Sequence, residues 1–286
     1  MTDRAVADLA VVIVTFNPAP VLEAAVDALV EGTNPPDHVL IVDNASTSTA
    51  SLERVERRHP SVRVLRQPAN LGFCAASNLG YRAVPDTRYV LFLNPDAVVD
   101  PDFITGAVRH LDAAPDVGAI GPKLLELDEA TLQPTGRIDS TGIFQAWWGR
   151  IADRGQGERD GGQYDGPPED VPAVCGAALV ARRAALEHVA RDGAVFDERF
   201  FMFKEDVDLS YRLAAAGWRR VFVSDLIVHH GRGNLQIDRS SIEPWVRRRS
   251  LVNEWRLWRK PSLPRGRRAP MLVYLLAKTV AVGAGL

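Results

Sequence analysis

The chain of 286 residues has only two cysteines, Cys74 and Cys175, and neither has a neighbour with which to form a paired-cysteine motif. A disulfide framework or a thiolate zinc site is therefore not expected, and reduced thiols in the cytosol are. No uninterrupted apolar run reaches roughly 18 residues, so no regular membrane span is encoded. The apolar run Leu9 to Val14 is too short for a secretory signal and reads as a buried strand. No G-x-G-x-x-G follows that strand and no G-x-x-x-x-G-K-[ST] occurs, which removes the main support for dinucleotide-dehydrogenase and P-loop chemistry. Charge of one sign is lacking too: 34 basic against 36 acidic side chains, formally −2, argues against a surface built for nucleic acid. No internal repeat is found.

What is present is the alternation of an α/β protein. Leu9–Thr15, Val39–Asp43, Val62–Arg66 and Tyr89–Leu93 read as strands, with helices near 19–31, 47–58 and 73–83 between them. The strands are continuously apolar, which implies burial on both faces and hence a mostly parallel sheet flanked by helices. A helix from Pro101-Asp102 to about Ala113 and a short strand Val117–Gly121 follow. Periodicity then weakens from Leu124 to Pro172, and Gly155–Pro168, with five glycines and two prolines, reads as a mobile loop. Ala173–Ala181 returns to a buried pattern, a helix near 205–216 stops at Gly217, and Arg220–Ser224 reads as the last strand.

In such sheets ligands bind beyond the carboxyl ends of the strands. The segments there are Thr15-Phe16-Asn17, Asp43-Asn44-Ala45-Ser46 and Asn94-Pro95-Asp96, all rich in side-chain oxygens, and three such tips can converge on one crevice. Asp43 can accept from a pyrimidine imide N–H, and Asp96 can ligate a hard divalent cation. Taken alone, Asn94 and Asp96 would equally suit a backbone-bonding turn. Glu205-Asp206-Val207-Asp208 opens a helix after the aromatic run Phe200-Phe201-Met202-Phe203. Helix capping explains one or two of these acids; a third leaves room for a base, which the helix dipole is expected to weaken by lowering its pKa. His229-His230-Gly231-Arg232-Gly233 could supply an imidazole to the same cation and, through Arg232, a phosphate contact.

The end of the chain differs in character. Asp238–Arg268 holds ten basic residues against three acids, with Trp245, Trp255 and Trp258 among them, and Ala269–Leu286 then carries one charge, Lys278. This fits a segment resting on an anionic membrane surface as well as it fits a basic solvated helix followed by a core-packing one.

In order and spacing, these segments resemble the inverting family-2 glycosyltransferases of GT-A fold, and within them the bacterial rhamnosyltransferase-like branch, over roughly residues 9–235. VVIVTFN and VDNAS resemble the nucleotide-binding strands, QPANLGFCAASNLG the asparagine–glycine segment, LNPDAVVD the branch's form of the Asp-X-Asp metal motif, and FDERFFMFKEDVDLSYRLAAAGWR and HHGRG the acceptor-side segments. The resemblance implies a glycosyltransferase domain over 1–235, with a nucleotide-sugar half to about residue 100, and a basic helical region over 236–286. It implies that Thr15, Asn17 and Asp43 hold the nucleoside, with Phe16, Asn44, Asn94 and Arg232 as further donor contacts, and that Asn70, Gly72 and Asn78 shape the pocket. Asp96 would ligate Mg²⁺ or Mn²⁺, with His230 or else His229 beside it, and Asp206 would be the base, with Glu205 as its catalytic neighbour. The family pattern is incomplete here, because Asn94 replaces the first acid of the metal motif.

The implied partners are a dTDP- or UDP-linked sugar donor, best matched by dTDP-L-rhamnose, a polyprenyl-diphosphate-linked or glycan acceptor, and an anionic membrane surface on the cytoplasmic side. A homodimer is left open. Two rival readings also stay open at this point: a metal-dependent nucleotidyltransferase releasing pyrophosphate, and a non-catalytic protein that binds a sugar nucleotide.

Overall fold

A computed structural model describes residues 8–231 and 244–283. In chain order the elements are β1 Leu9–Thr15, α1 Val21–Glu31, β2 His38–Asp43, α2 Ala50–Arg58, β3 Arg63–Arg66, α3 Phe73–Ala83, β4 Tyr89–Leu93, β5 Ala97–Val99 and α4 Phe103–Ala113. They continue with β6 Val117–Asp128, β7 Gln133–Ser140, β8 Ile143–Gln145, β9 Ile151–Asp153, β10 Glu169–Asp170, β11 Ala178–Arg182, α5 Arg183–Val189, α6 Glu205–Ala215, β12 Arg219–His230, α7 Pro244–Arg259 and α8 Arg265–Gly283.

One sheet organises the chain, in the order β10-β12-β6-β11-β4-β1-β2-β3, with β5 on β12 and β7 on β6. The continuous hydrophobicity of β1 and β4 has the physical cause expected of it. Leu9, Val11 and Ile13 of β1, and Tyr89, Leu91 and Leu93 of β4, face a core built with α1, α2 and α4. Ala10, Val12, Val90 and Phe92 face the opposite core, built with α3, α5 and α6. Both faces are dry, so neither strand has a polar position to alternate with.

The first four strands are mutually parallel, whereas β11 runs antiparallel between β4 and β6. Both halves of the chain thus share one sheet. The segment 124–172 is more regular than its pattern suggests: β6 extends to Asp128, and β7, β8, β9 and β10 follow. β7 begins with five exposed residues, so it lacks the apolar alternation by which a strand is read. The Gly155–Pro168 loop is irregular, as expected, but Asp160 and Asp165 anchor it to the buried ammonium of Lys123.

β12 likewise runs on to His230, past a register shift between Val223 and Ile227. The expectation of a strand ending at Ser224 is thereby corrected. Ser224 and Asp225 break the apolar run, and an irregular bulge absorbs them without ending the strand. At the chain's end, α7 and α8 lay Leu251, Leu257, Met271 and Leu275 into the same core as Val12 and Phe92.

Candidate active site

Parallel pairing sets the tips side by side. Thr15 pairs with Asp43, and Ile13 pairs with Leu93, so Asp43 lies two strand spacings, roughly 10 Å, from the end of β4. Amides brace the β2 side. The Asn44 side chain donates to Asn70 Oδ1 at 2.9 Å, while Asn44 Oδ1 accepts from the Leu71 N–H at 2.8 Å and Asn70 Oδ1 also accepts from the Gly72 N–H. Asp43 is buried and accepts from the Ser46 N–H through one carboxylate oxygen. Thr15 is buried beside it, and Phe16 offers an exposed ring.

Two sequence expectations change here. Asn17 Oδ1 already accepts from the Thr47 and Ser48 N–H groups, so this residue ties the first tip to the second and does not present its amide oxygen to a nucleoside. Asn78 is fully buried, and both ends of its amide bond the backbone of Phe196, with Glu198 taking a further contact. It fastens α3 to the segment before α6 and does not reach the crevice.

The β4 tip is where charge gathers. Because β12 pairs antiparallel with β5, placing His230 opposite Ala97, the imidazole arrives next to Asp96. His230 Nε2 lies 3.3 Å from Asp96 Oδ1 and 3.1 Å from the Asn94 amide, while Nδ1 lies 2.8 Å from the buried carboxylate of Asp139. A carboxylate can only accept, so Nδ1 carries a proton toward Asp139 and, in the charged imidazole, Nε2 carries one toward Asp96. Burial opposes a charge on His230, but the Asp96 and Asp139 carboxylates outweigh it and lift the imidazole to about 10. His229 points elsewhere, toward Asp100 at 3.4 Å. Arg232 lies outside the described residues.

Across the crevice, the chain before β11 brings in α6. The Asn94 N–H donates to Ala177 O at 2.9 Å, and the adjacent Gly176 N–H donates to Asp206 Oδ2 at 3.1 Å. Asp206 is thus linked to the β4 tip through Gly176 and Ala177, and among the three acids of the helix start it alone is half-buried. Asp208 is bound to Arg212 at 2.9 Å and Lys260 at 3.0 Å, a structural ion-pair cluster. Glu205 is buried, and desolvation with the neighbouring Asp206 charge pushes its carboxyl up to about 8.

Asp206 is raised as well, chiefly by burial, against the lowering influence of Lys204 and the Gly176 N–H. The helix dipole was expected to lower it; desolvation is the stronger effect here.

The approach to this helix is held in an unusual shape. Phe201, Phe203 and Lys204 all have positive φ, at 63°, 71° and 71°. Such conformations persist only where the surroundings over-determine them. The buried Asn253 amide of α7 donates to Phe200 O, Met202 O and Phe203 O at 2.7 to 2.9 Å. The Phe201 ring fills the space beside Gly72, where a Cβ would come within 2.3 Å of it. Gly72 has φ +80°, so its lack of a side chain is required twice.

Sequence reasoning missed Asp139 and Asn253. Each acts through a partner distant along the chain, 91 residues for Asp139 and His230. The one available signal was an acid following apolar Ile138.

A different acidic group, Asp27, Glu31 and His59, has ligand atoms within 4.8 Å of one another. It sits at the far ends of α1 and α2, by the amino ends of the strands, and Asp27 already pairs with Arg58 and His59. No strand tip is near it.

The glycosyl transferase family 2 model matches residues 10–189. An N-acetylglucosaminyl-diphospho-decaprenol L-rhamnosyltransferase of Mycobacterium tuberculosis is 34% identical over 239 residues, covering 78% of this chain and 76% of that protein. An O-antigen biosynthesis protein of Myxococcus xanthus is 30% identical over 79% of this chain, which spans only 18% of it. Among solved structures, a mannosyltransferase of Pyrobaculum calidifontis in complex with GDP-Man and Mn²⁺ superposes with a TM-score of 0.62 at 18% identity, over 97% of this chain and 74% of that one. GalNAc-T7 with UDP, GalNAc and Mn²⁺ gives 0.65 at 16% identity, over 80% of this chain and 44% of that one. The fold is GT-A, and of the three chemistries left open above, sugar transfer is the one retained: the chain belongs to glycosyl transferase family 2 and is a glycosyltransferase.

Proposed function

We propose that the chain transfers L-rhamnose from dTDP-L-rhamnose to a hydroxyl of a sugar carried on a polyprenyl diphosphate, with inversion at the anomeric carbon, in assembly of a bacterial cell-wall or surface glycan. The name of the mycobacterial relative supports the donor sugar and the lipid-borne acceptor. The observation that carries the chemistry is the approach of Asp206 to the β4 tip through Gly176 and Ala177.

In this reading the β2 side holds the nucleoside. Asp43 has a carboxylate oxygen to offer to a pyrimidine imide N–H, Phe16 offers a ring face, and the Asn44–Asn70 brace holds the chain directly after Asp43. The diphosphate then extends toward Asn94 and Asp96. Asp96 and, on loss of its Nε2 proton, His230 would hold a divalent cation such as Mg²⁺ or Mn²⁺, and Asp139 behind Nδ1 gives the imidazole the orientation that metal-binding histidines take from a carboxylate partner. Such a cation, when bound, neutralises charge on the leaving diphosphate.

Asp206 takes the proton of the acceptor hydroxyl, and the acceptor oxygen forms its bond to the anomeric carbon. The carbon–oxygen bond to the diphosphate breaks, and its electron pair departs with the nucleoside diphosphate. A single displacement inverts configuration. The raised pKa of Asp206 suits the role, since a base nearer neutrality accepts a proton more readily.

The test is transfer from dTDP-L-rhamnose to a polyprenyl-diphosphate-linked N-acetylglucosamine by the wild type and by Asp206→Asn. The variant is expected to bind donor normally and to lose about 10²–10⁴-fold in kcat. Undiminished turnover would remove Asp206 from the mechanism.

A further inference from the structure

The turn between β8 and β9 carries two tryptophans, Trp147 at 85% exposure and Trp148 at 41%. This turn is fastened to α8. Trp148 packs edge-on against Tyr274 with ring centroids 5.4 Å apart. Arg267 Nη1 donates to Gln145 O at 3.1 Å and Gln145 Nε2 donates back to Arg267 O at 3.3 Å, while Gly149 lies against the Pro270 carbonyl so closely that a Cβ would come within 2.3 Å.

α8 is apolar on two opposite faces. Met271 and Leu275 enter the core, and on the other side Val273, Leu276 and Val280 stand 69%, 55% and 73% exposed, with exposed Ala277 between them. The spacing i, i+3, i+4, i+7 makes these four a single stripe. Lys278, the one charged residue from Ala269 to Gly283, is paired with the buried Glu254 at 2.7 Å, so the stripe carries no charge. Exposed arginines lie ahead of it at the α7–α8 turn: Arg259 at the end of α7, and Arg265 and Arg267 at the start of α8. No described helix is long and apolar enough to cross a membrane.

We propose that the β8–β9 turn and the outer stripe of α8 form one surface that lies in the headgroup layer of an anionic bilayer, with Trp147 and Trp148 inserting beside Val273 and Leu276. The assignment rests on the reading above that the acceptor is lipid-borne. A helix lying in the interface needs apolar area on one side, indoles at the boundary and bases for the anionic headgroups, and all three meet here.

The experiment uses the full chain and vesicles of phosphatidylglycerol and phosphatidylcholine. Trp147→Ser and the pair Val273→Asp with Leu276→Asp each change exposed side chains only and leave the core packing in place. Each is expected to weaken co-sedimentation, the pair on the order of tenfold or more, and Trp147→Ser to diminish the quenching of tryptophan fluorescence by brominated lipid. Transfer to a short, water-soluble acceptor should stay at the wild-type level. Wild-type sedimentation by both variants would overturn the proposal. So would a shift from dimer to monomer in the variants with vesicle binding unchanged, which would give the face to a second copy. A chain that binds vesicles through these residues yet transfers no sugar to any polyprenyl-linked acceptor would retire the function proposed above and leave the docking surface standing.

Discussion

The two sides of the crevice are built on opposite principles. At the β2 tip, Asn44, Asn70 and Asn17 hold the backbone with neutral amides whose bonds are already made. At the β4 tip the carboxylates of Asp96 and Asp139 gather around one imidazole, and at the start of α6 Glu205 and Asp206 are crowded against each other. A neutral network is stable without a ligand, and it fits a nucleoside that needs only shape and a few hydrogen bonds. A cluster of carboxylates is kept at a cost in folding energy, and the return lies in proton and phosphate chemistry.

The contrast can be broken most directly at Asp139. Asp139→Asn can no longer fix the Nδ1 proton of His230, and loss of such an outer partner typically lowers metal affinity or activity about 10–100-fold. Titration of the protein with Mn²⁺, followed by its paramagnetic effect on water relaxation, should show the loss, while binding of dTDP without added metal stays as in the wild type. Equal loss on both measurements would mean that the two sides are not separable. Where the sides touch, Gly72→Ala places a Cβ against the Phe201 ring in a backbone shape that favours glycine. Its stability should fall by roughly 3 kcal/mol, measured by denaturant unfolding, from positive φ plus overpacking.

On the neutral side, Asn44→Ala leaves the Leu71 N–H without its partner and takes from the Asn70 side-chain oxygen one of its two donors. The change should cost about 1–3 kcal/mol of stability and appear in steady-state kinetics mainly as a raised donor KM, with kcat less affected. A kcat loss as large as that of Asp206→Asn would contradict the division of labour.

Another effect is confined to a pH window. Glu205 keeps its proton in the folded chain up to about 8, whereas an unfolded chain releases it near the ordinary value of 4.5. Between these values the folded state binds more protons, so stability falls as pH rises through the window and levels off above about 8. Glu205→Gln lacks this term. Its Tm should match the wild type near the lower limit and exceed it above the upper one.

Much of the neutral side was legible in the sequence, and much of the charged side was not. β1 and β4 announce themselves because every residue in them is buried on one face or the other, and their tips follow at once. The extension of β12 was hidden because Ser224 and Asp225 interrupt its apolar run, and the placement of His230 depends on that extension. The three acids of α6 are alike in sequence. Only the partners brought by distant elements, Lys260 for Asp208 and Gly176 for Asp206, divide them into structure and chemistry.

The bonds from Asn253 to the aromatic approach of α6 bear on how the outer helices can be studied. They form a splint across the segment that aims Asp206, and the splint is anchored in α7. An enzyme shortened ahead of α7 would therefore forfeit the alignment of its base together with its hold on lipid. Silence from such a truncated protein would speak to the geometry of the reaction as much as to where in the cell the protein works.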